Sequence, residues 1–369
     1  MNDNTIFIFD AHAGMKLSRD IILSDGSLLA PKDTVLTPSL IAKISSLHVL
    51  EINIYNEDED SASQAERNAA LARTDADNIN YYERVRNSDE FKHFESEYNV
   101  NVDSVKDNLN SFITAENNID TDTMVSETMN IMSEARNSLQ MFDMLHAMRN
   151  KDDITFVHSV NVALIASIIG KWLNFNDEQI KTLTLAGLLH DIGKLLVPDN
   201  ILNKPGTLTD NEYEIMKHHV NLGYEQIKDK KLPLPVKEAI LLHHEKCDGS
   251  GYPFGLKSPD IPAVAKIITI ADVYDAMTAS RIYRAPICPF EVVKMMYQDA
   301  FTKFDPIYAI PFLKNVVASY IGTNVKLSDG RTGKVVLIND NALDKPIVQC
   351  GNDYVNLSKN SGLSIVSLM

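Results

Sequence analysis

The spacing of apolar residues changes three times along the chain, dividing it into four stretches. Over 1–56, short apolar runs alternate around turn residues. Asp25-Gly26 lies between Arg19–Leu23 and Ser27-Leu28-Leu29, a hairpin signal. Thr37-Pro38 then opens a short amphipathic helix carrying Leu40, Ile41, Ile44 and Leu47, and Leu50–Tyr55 reads as a strand. From Glu57-Asp58-Glu59-Asp60 the chain turns polar and nearly free of Gly and Pro, and the spacing predicts helices over 78–98, 101–117 and 121–149. In the last of these, Met124, Met129, Ile131, Met132, Ala135, Leu139, Phe142 and Leu145 form a stripe. Such a stripe is usually packing surface, and it also suits pairing with a second copy of the chain, a homodimer.

The stretch 150–321 is densely apolar at helical spacing, whereas 322–369 returns to short alternating runs such as Val325-Lys326-Leu327 and Ile347-Val348-Gln349-Cys350. The expected fold is mainly α: a helical domain over 150–321, a polar helical connecting region over 57–149, and small β-containing modules at 1–56 and 322–369. Capping signals sharpen the helical part. Asn176 with Gln179 and Thr209 with Glu212 are capping boxes. Pro235 suits a first helical turn, and Ala263–Ala279 is a further helix.

Several of these helices carry chemistry at or near their ends. His158, the pair His190-Asp191, His219, the pair His243-His244, and Asp272 come from five separate segments, and imidazole with carboxylate suits two divalent cations. Adjacent residues on a helix leave about 100° apart, so His190 and Asp191 can clasp an ion beyond the helix end. Asp191 is the expected bridge. His219, His243 and His244 would complete one shell, while His158, His190 and Asp272 complete the other. Two such ions can hold a bridging hydroxide for phosphoryl displacement. Taken singly, His158 reads more often as a core histidine, and His219, beside His218, as a surface residue. Asp272, within Ile267-Ile268-Thr269-Ile270-Ala271, needs a partner or a metal.

Lys194 lies four residues after His190 and would face the same region if the helix continues, as a phosphate-holding and catalytic cation or as a solvated lysine. Arg281 and Arg284 could form a second anion clamp. Asp275, three residues after Asp272, would contact substrate, orient a ligand, or pair with one of those arginines. In the glycine-rich loop Asp248–Gly255, Tyr252 offers a stacking surface or belongs to a structural turn.

Composition narrows the partners. With 35 Lys+Arg against 50 Asp+Glu, the chain lacks the basic field that nucleic-acid polymers require. Three cysteines, Cys247, Cys288 and Cys350, form no CxxC and are expected as free thiols in a reducing cytoplasm. No run reaches the roughly 20 apolar residues of a membrane helix, and the acidic start is unlike a signal peptide. The expectation is cytoplasmic, without membrane insertion.

His190-Asp191-Ile192-Gly193-Lys194, Asn203-Lys204-Pro205-Gly206, Met216-Lys217-His218-His219, His243-His244-Glu245 through Pro253, and Ala271-Asp272-Val273-Tyr274-Asp275-Ala276-Met277 with Arg281 together resemble the HD-GYP domain over roughly 150–320. The resemblance implies an all-helical HD-type metal-dependent phosphohydrolase with iron or manganese. It further implies a phosphodiesterase of bacterial signalling that hydrolyses cyclic di-GMP to linear pGpG and commonly on to GMP. By motif position, the metal ligands fall on His158, His190, Asp191, His219, His243, His244 and Asp272, and the phosphate contacts on Lys194, Arg281 and Arg284. Members with three metals carry a Glu four residues before the first histidine. Here that position is Ile154, with Asp152 and Asp153 out of register, so two metals are expected. Val220 replaces the usual Pro, a smaller departure. A cyclic di-GMP sensor without turnover and a hydrolase of a related cyclic dinucleotide are the competing readings.

Overall fold

The computed structural model describes residues 76–115, 120–148, 154–204, 208–278, 287–360 and 362–369, with shorter stretches between 3 and 55. Contacts within the chain cluster into two units, Met1–Arg73 with Val197–His218, and Thr74–Leu196 with His219–Met369. Most of the expected connecting region and the whole C-terminal module therefore share a unit with the histidine-bearing helices.

In the first unit, β1 (Asp3–Phe7) pairs antiparallel with β4 (Glu51–Tyr55), Thr5 opposite Asn53. The expected hairpin forms between β2 (Ile21–Ile22) and β3 (Leu28–Ala30), while Asp25-Gly26 itself falls outside the described residues. Ile8, Leu17, Leu36, Ile52 and Ile54 are buried here. The Thr209–Glu212 capping box opens the helix Asp210–Lys217 with both reciprocal hydrogen bonds in place.

The second unit is mainly helical. Its polar stretch forms Ala76–Asn87, Asp89–Ala115, Thr121–Glu134 and Ser138–Ala147, so the breaks fall elsewhere than the sequence spacing predicted. Tyr98, Val102, Val105, Leu109 and Phe112 are all buried at three- and four-residue steps and carry one helix straight through the expected break at 99–100. The chain breaks instead where a side chain can cap the next helix. The Ser88 hydroxyl accepts from the Phe91 amide at 3.2 Å, and Asn137 accepts from Gln140 at 2.9 Å. Met124, Ile131, Phe142 and Leu145 of that stripe are buried within the chain itself, while Met129, Met132, Ala135 and Leu139 are partly exposed.

The helices Ile154–Trp172 and Asp177–Leu189 make the most intimate pair. A Cβ on Gly187 would lie 2.5 Å from the Ala163 Cα, so only glycine permits that approach. Thr155–Trp172 is long and apolar enough to cross a membrane, and 72% of it is buried inside the protein, as for a core helix. The remaining helices are His219–Ile227, Leu234–Leu242, Ala263–Thr278, Pro289–Asp299 and Pro306–Ser319. The chain closes in a five-stranded antiparallel sheet of β5 (Asn324–Leu327), β6 (Thr332–Leu337), β7 (Ile347–Cys350), β8 (Asp353–Asn356) and β9 (Ile365–Leu368). Its order is β8-β7-β6-β5-β9, a meander whose last strand returns beside the first. The fold is thus a helical domain flanked by small β modules.

Candidate metal centre

Asn176 caps the helix Asp177–Leu189 through the expected box, and that helix delivers His190 as its C-terminal cap. The His190 Nδ1 donates to the Gly187 carbonyl at 2.8 Å, which leaves Nε2 as the inward-facing lone pair. The helix does not continue toward Lys194. Residues Ile192–Leu196 tighten into a 3-10 turn, the Lys194 amide donates to the Asp191 carbonyl at 2.9 Å, and Lys194 Nζ reaches Asp191 Oδ2 at 2.6 Å. Gly193 backs directly onto the His219 carbonyl, where a Cβ would collide.

His243 caps the helix Leu234–Leu242, and its Nδ1 donates between the Ala239 and Ile240 carbonyls, each at 3.1 Å. The hydroxyl of Thr269, one turn before Asp272, donates to the His243 carbonyl at 2.6 Å. His158 is held differently: its Nδ1 donates to Asp275 Oδ2 at 2.7 Å, and its Nε2 lies 3.0 Å from Asp272 Oδ1.

All seven expected side chains converge, in two sets. Asp191, His219, His243 and His244 form one and His158, His190 and Asp272 the other, with donor atoms within 4.8 Å of one another in each. Asp191 stands between them. Its Oδ1 lies 3.2 Å from His219 Nε2 and 3.7 Å from His243 Nε2, while Oδ2 lies 3.2 Å from His190 Nε2 and 3.7 Å from His158 Nε2. His190 Nε2 and Asp191 Oδ1 are buried without a hydrogen-bond partner. His219 and His243 point Nε2 at Nε2 across 3.4 Å, where at most one proton could sit. Unpartnered buried donors, converging lone pairs and a carboxylate among them suit divalent cations.

The electrostatics follow from the packing. Burial raises the Asp191 carboxyl, but the charges of His190 and Lys194 outweigh it and hold the group well below the usual carboxylate range. Asp272 is likewise held low, against burial, by its hydrogen bond to His158. Burial pushes the His158 imidazole down, yet its hydrogen bonds to Asp272 and Asp275 prevail and raise it to about 10. For His243 burial prevails over the opposing pull of Asp191 and lowers the imidazole to about 4. Burial, reinforced by His243, also pushes His244 well below its ordinary value.

Two expected substrate contacts also touch the histidines of the site. Asp275 is only 4% exposed, with Oδ2 taken by His158 and Oδ1 by Asn161 Nδ2 at 2.8 Å. It orients a histidine, the second of the three roles expected for it, one helical turn behind Asp272. Tyr252 stacks on His244, with ring centroids 4.6 Å apart at 24°, which commits one ring face to that imidazole. Arg281 and Arg284 lie outside the described residues, as do Asp152 and Asp153.

Sequence reasoning gave no role to Glu245, Asn161 or Tyr98. Glu245 is buried and accepts from the Phe254 and Leu256 amides at 2.7 and 2.8 Å, tying the glycine-rich loop to the histidine pair. Its signal was an acid next to two metal-type histidines. Asn161 was legible as the residue one turn after His158. Tyr98, far away in sequence, had no local signal.

Residues 126–307 match the family model described as HD domain, and the chain carries an HD domain there. It is 37% identical over 203 residues to a cyclic di-GMP phosphodiesterase of Pseudomonas aeruginosa, covering 55% of this chain and 49% of that one. It is also 34% identical over 184 residues to 3'3'-cGAMP-specific phosphodiesterase 2 of Vibrio cholerae, covering 49% and 35%. This chain thus spans half or less of the length of these relatives. Among solved structures, a HDG"Y"P protein from Bdellovibrio bacteriovorus covers 84% of this chain and 98% of its own, at 17% identity and a TM-score of 0.49.

Proposed function

We propose that the chain is a metal-dependent phosphodiesterase that hydrolyses cyclic di-GMP to pGpG, with two divalent ions, iron or manganese, held by the seven side chains. The observation that carries this reading is the placement of the two Asp191 oxygens, one toward each donor set. A single carboxylate between two imidazole clusters would hold an ion on each side. When bound, such ions supply Lewis acidity to a phosphoryl oxygen and make water a nucleophile at neutral pH. The chain's own residues do the rest. His190 and His243 present fixed lone pairs because their other nitrogens are anchored on backbone carbonyls. Lys194 sits on the Asp191 side of the site and is placed to hold a non-bridging phosphate oxygen. Ile154 at the position of a third-metal carboxylate supports two ions over three.

Curated relatives named for cyclic di-GMP and for 3'3'-cGAMP both resemble this chain, which keeps a related cyclic dinucleotide as the second reading. Protein purified without oxygen should carry two equivalents of metal by elemental analysis. It should release pGpG from cyclic di-GMP faster than it opens 3'3'-cGAMP. Faster opening of 3'3'-cGAMP would favour the second reading, and tight binding with no product would make the chain a sensor. Turnover unaffected by Asp191→Ala would refute the bridge.

A further inference from the structure

The carboxylate that fixes His158 is itself held by a chain of hydrogen bonds that leaves the HD domain. Asp275 Oδ1 accepts from Asn161 Nδ2 at 2.8 Å, and Asn161 Oδ1 accepts from the Tyr98 hydroxyl at 2.6 Å. Tyr98 lies on the helix Asp89–Ala115, which ends before residue 126, where the family match begins. Its ring is fully buried and its hydroxyl also lies 3.1 Å from the Val157 carbonyl, beside His158. We propose that Tyr98, through Asn161 and Asp275, is a positioning residue that sets the orientation and tautomer of His158, so that the helix preceding the HD domain completes one of the two metal sites.

The direction of the chain is fixed by donor and acceptor counting. Reversing the Asn161 amide would set its oxygen against Asp275 Oδ1, two acceptors at 2.8 Å. Asn161 must therefore point its amino group at Asp275 and its oxygen at Tyr98, and only a hydroxyl proton satisfies that oxygen. Burial drives the Tyr98 phenol well above its ordinary pKa, so the donor stays protonated. Asp275 Oδ2 then requires a proton on His158 Nδ1, which presents Nε2, on the side of Asp272 and Asp191, as the nitrogen that would meet a cation. Removing the Tyr98 hydroxyl leaves the Asn161 oxygen buried without that donor and loosens the amide that holds Asp275, the group that aims the imidazole.

This inference rests on the metal reading above, and the experiment separates the two. Co2+ titration of the full chain, followed by visible absorption, should resolve two equivalents. His158→Ala should lose one of them, and if it retains both, the metal reading itself fails. Asp275→Asn should weaken one equivalent by about 10–100-fold, the usual effect of removing an outer-shell partner. Tyr98→Phe, which keeps the ring, should weaken the same equivalent by up to about 10-fold and alter its absorption band. Tyr320→Phe, another fully buried tyrosine whose hydroxyl has no partner, should leave both equivalents unchanged. Should His158→Ala lose one ion while Tyr98→Phe binds both like the wild type, or while Tyr320→Phe weakens binding equally, the positioning role is overturned and the metal reading stands.

Discussion

The two donor sets are built from the same residue types, but His243 in one and His158 in the other are held by opposite means. On one side, His243 is anchored on carbonyls of its own helix, and burial outweighs the pull of Asp191 on it. On the other, His158 is anchored on a carboxylate that belongs to a different helix and answers to a third. Burial leaves His243 a poorly basic imidazole ready for a cation. Carboxylate anchoring gives a basic imidazole that holds a proton until a cation displaces it. His243, like His190, is set by local helix geometry, whereas His158 is set by tertiary contacts that distant segments can change.

The strongest blow to this contrast removes what the halves share. Asp191→Asn keeps the shape but discards the charge between the sets, and both metal equivalents should weaken together by roughly 3–5 kcal/mol, the scale for stripping one partner from a buried charge pair. Calorimetric titration with Mn2+ reads this directly. Loss at one equivalent alone would assign Asp191 to a single ion.

Gly193→Ala strikes only the set that contains His219. The new Cβ would run into the His219 carbonyl and lie 2.5 Å from the Gly223 amide, so the helix His219–Ile227 must shift. A stability loss of about 2–4 kcal/mol is expected, in the range for overpacking in a tight contact, with the ion held by His219 weakened and the other retained. Thermal unfolding with parallel metal analysis tests it. A variant as stable as the wild type would mean that the turn has slack.

Acidity should split the halves again. His158 rises to about 10 from 6.5, so in the metal-free chain it is protonated at neutral pH, and its ion must displace that proton. Affinity at this site should climb about tenfold per pH unit between pH 6.5 and 8.5. His243, lowered to about 4, is already neutral there and adds no such slope. The same signs govern metal-free stability. The His158 contribution is complete below 6.5 and disappears as pH rises through about 10, whereas that of His243 is complete above 6.5 and disappears as pH falls through about 4. Equal slopes at the two sites would erase the proposed difference.

Backbone anchoring, which holds one histidine of each donor set, was the more legible in the sequence. Capping boxes at Asn176 and Thr209 and the proline near residue 235 placed helix starts correctly, and helix ends then carried His190 and His243 to the centre. These signals work because each is satisfied within one turn. The 3-10 turn at Ile192–Leu196 was not legible, since Gly193 reads as flexible until the His219 carbonyl lies against it. The break at Ser88 was missed because Asn and Ser near residue 100 offer equally good caps, and only the buried stripe from Tyr98 to Phe112 decides between them. Asp275 was assigned to substrate because nothing local distinguishes a carboxylate facing a cleft from one facing a histidine.

The mildest test concerns the loop beside His243 and His244. Glu245 uses both carboxylate oxygens to accept amides from Phe254 and Leu256, while Gly251 packs its Cα against the backbone of His244 through Lys246. The loop is thus fastened to the pair His243-His244 rather than to any ion, and Tyr252 lies on His244 as a consequence. Glu245→Gln replaces one acceptor by an amino group that faces an N–H, leaving a buried amide unpaired at about 1–3 kcal/mol. The loop should loosen at that end, so KM for the cyclic dinucleotide should rise several-fold while both metal equivalents remain. A fall in metal content instead would mean that the loop supports His244 itself, and the division between anchoring the ions and framing the substrate would have to be redrawn at that residue.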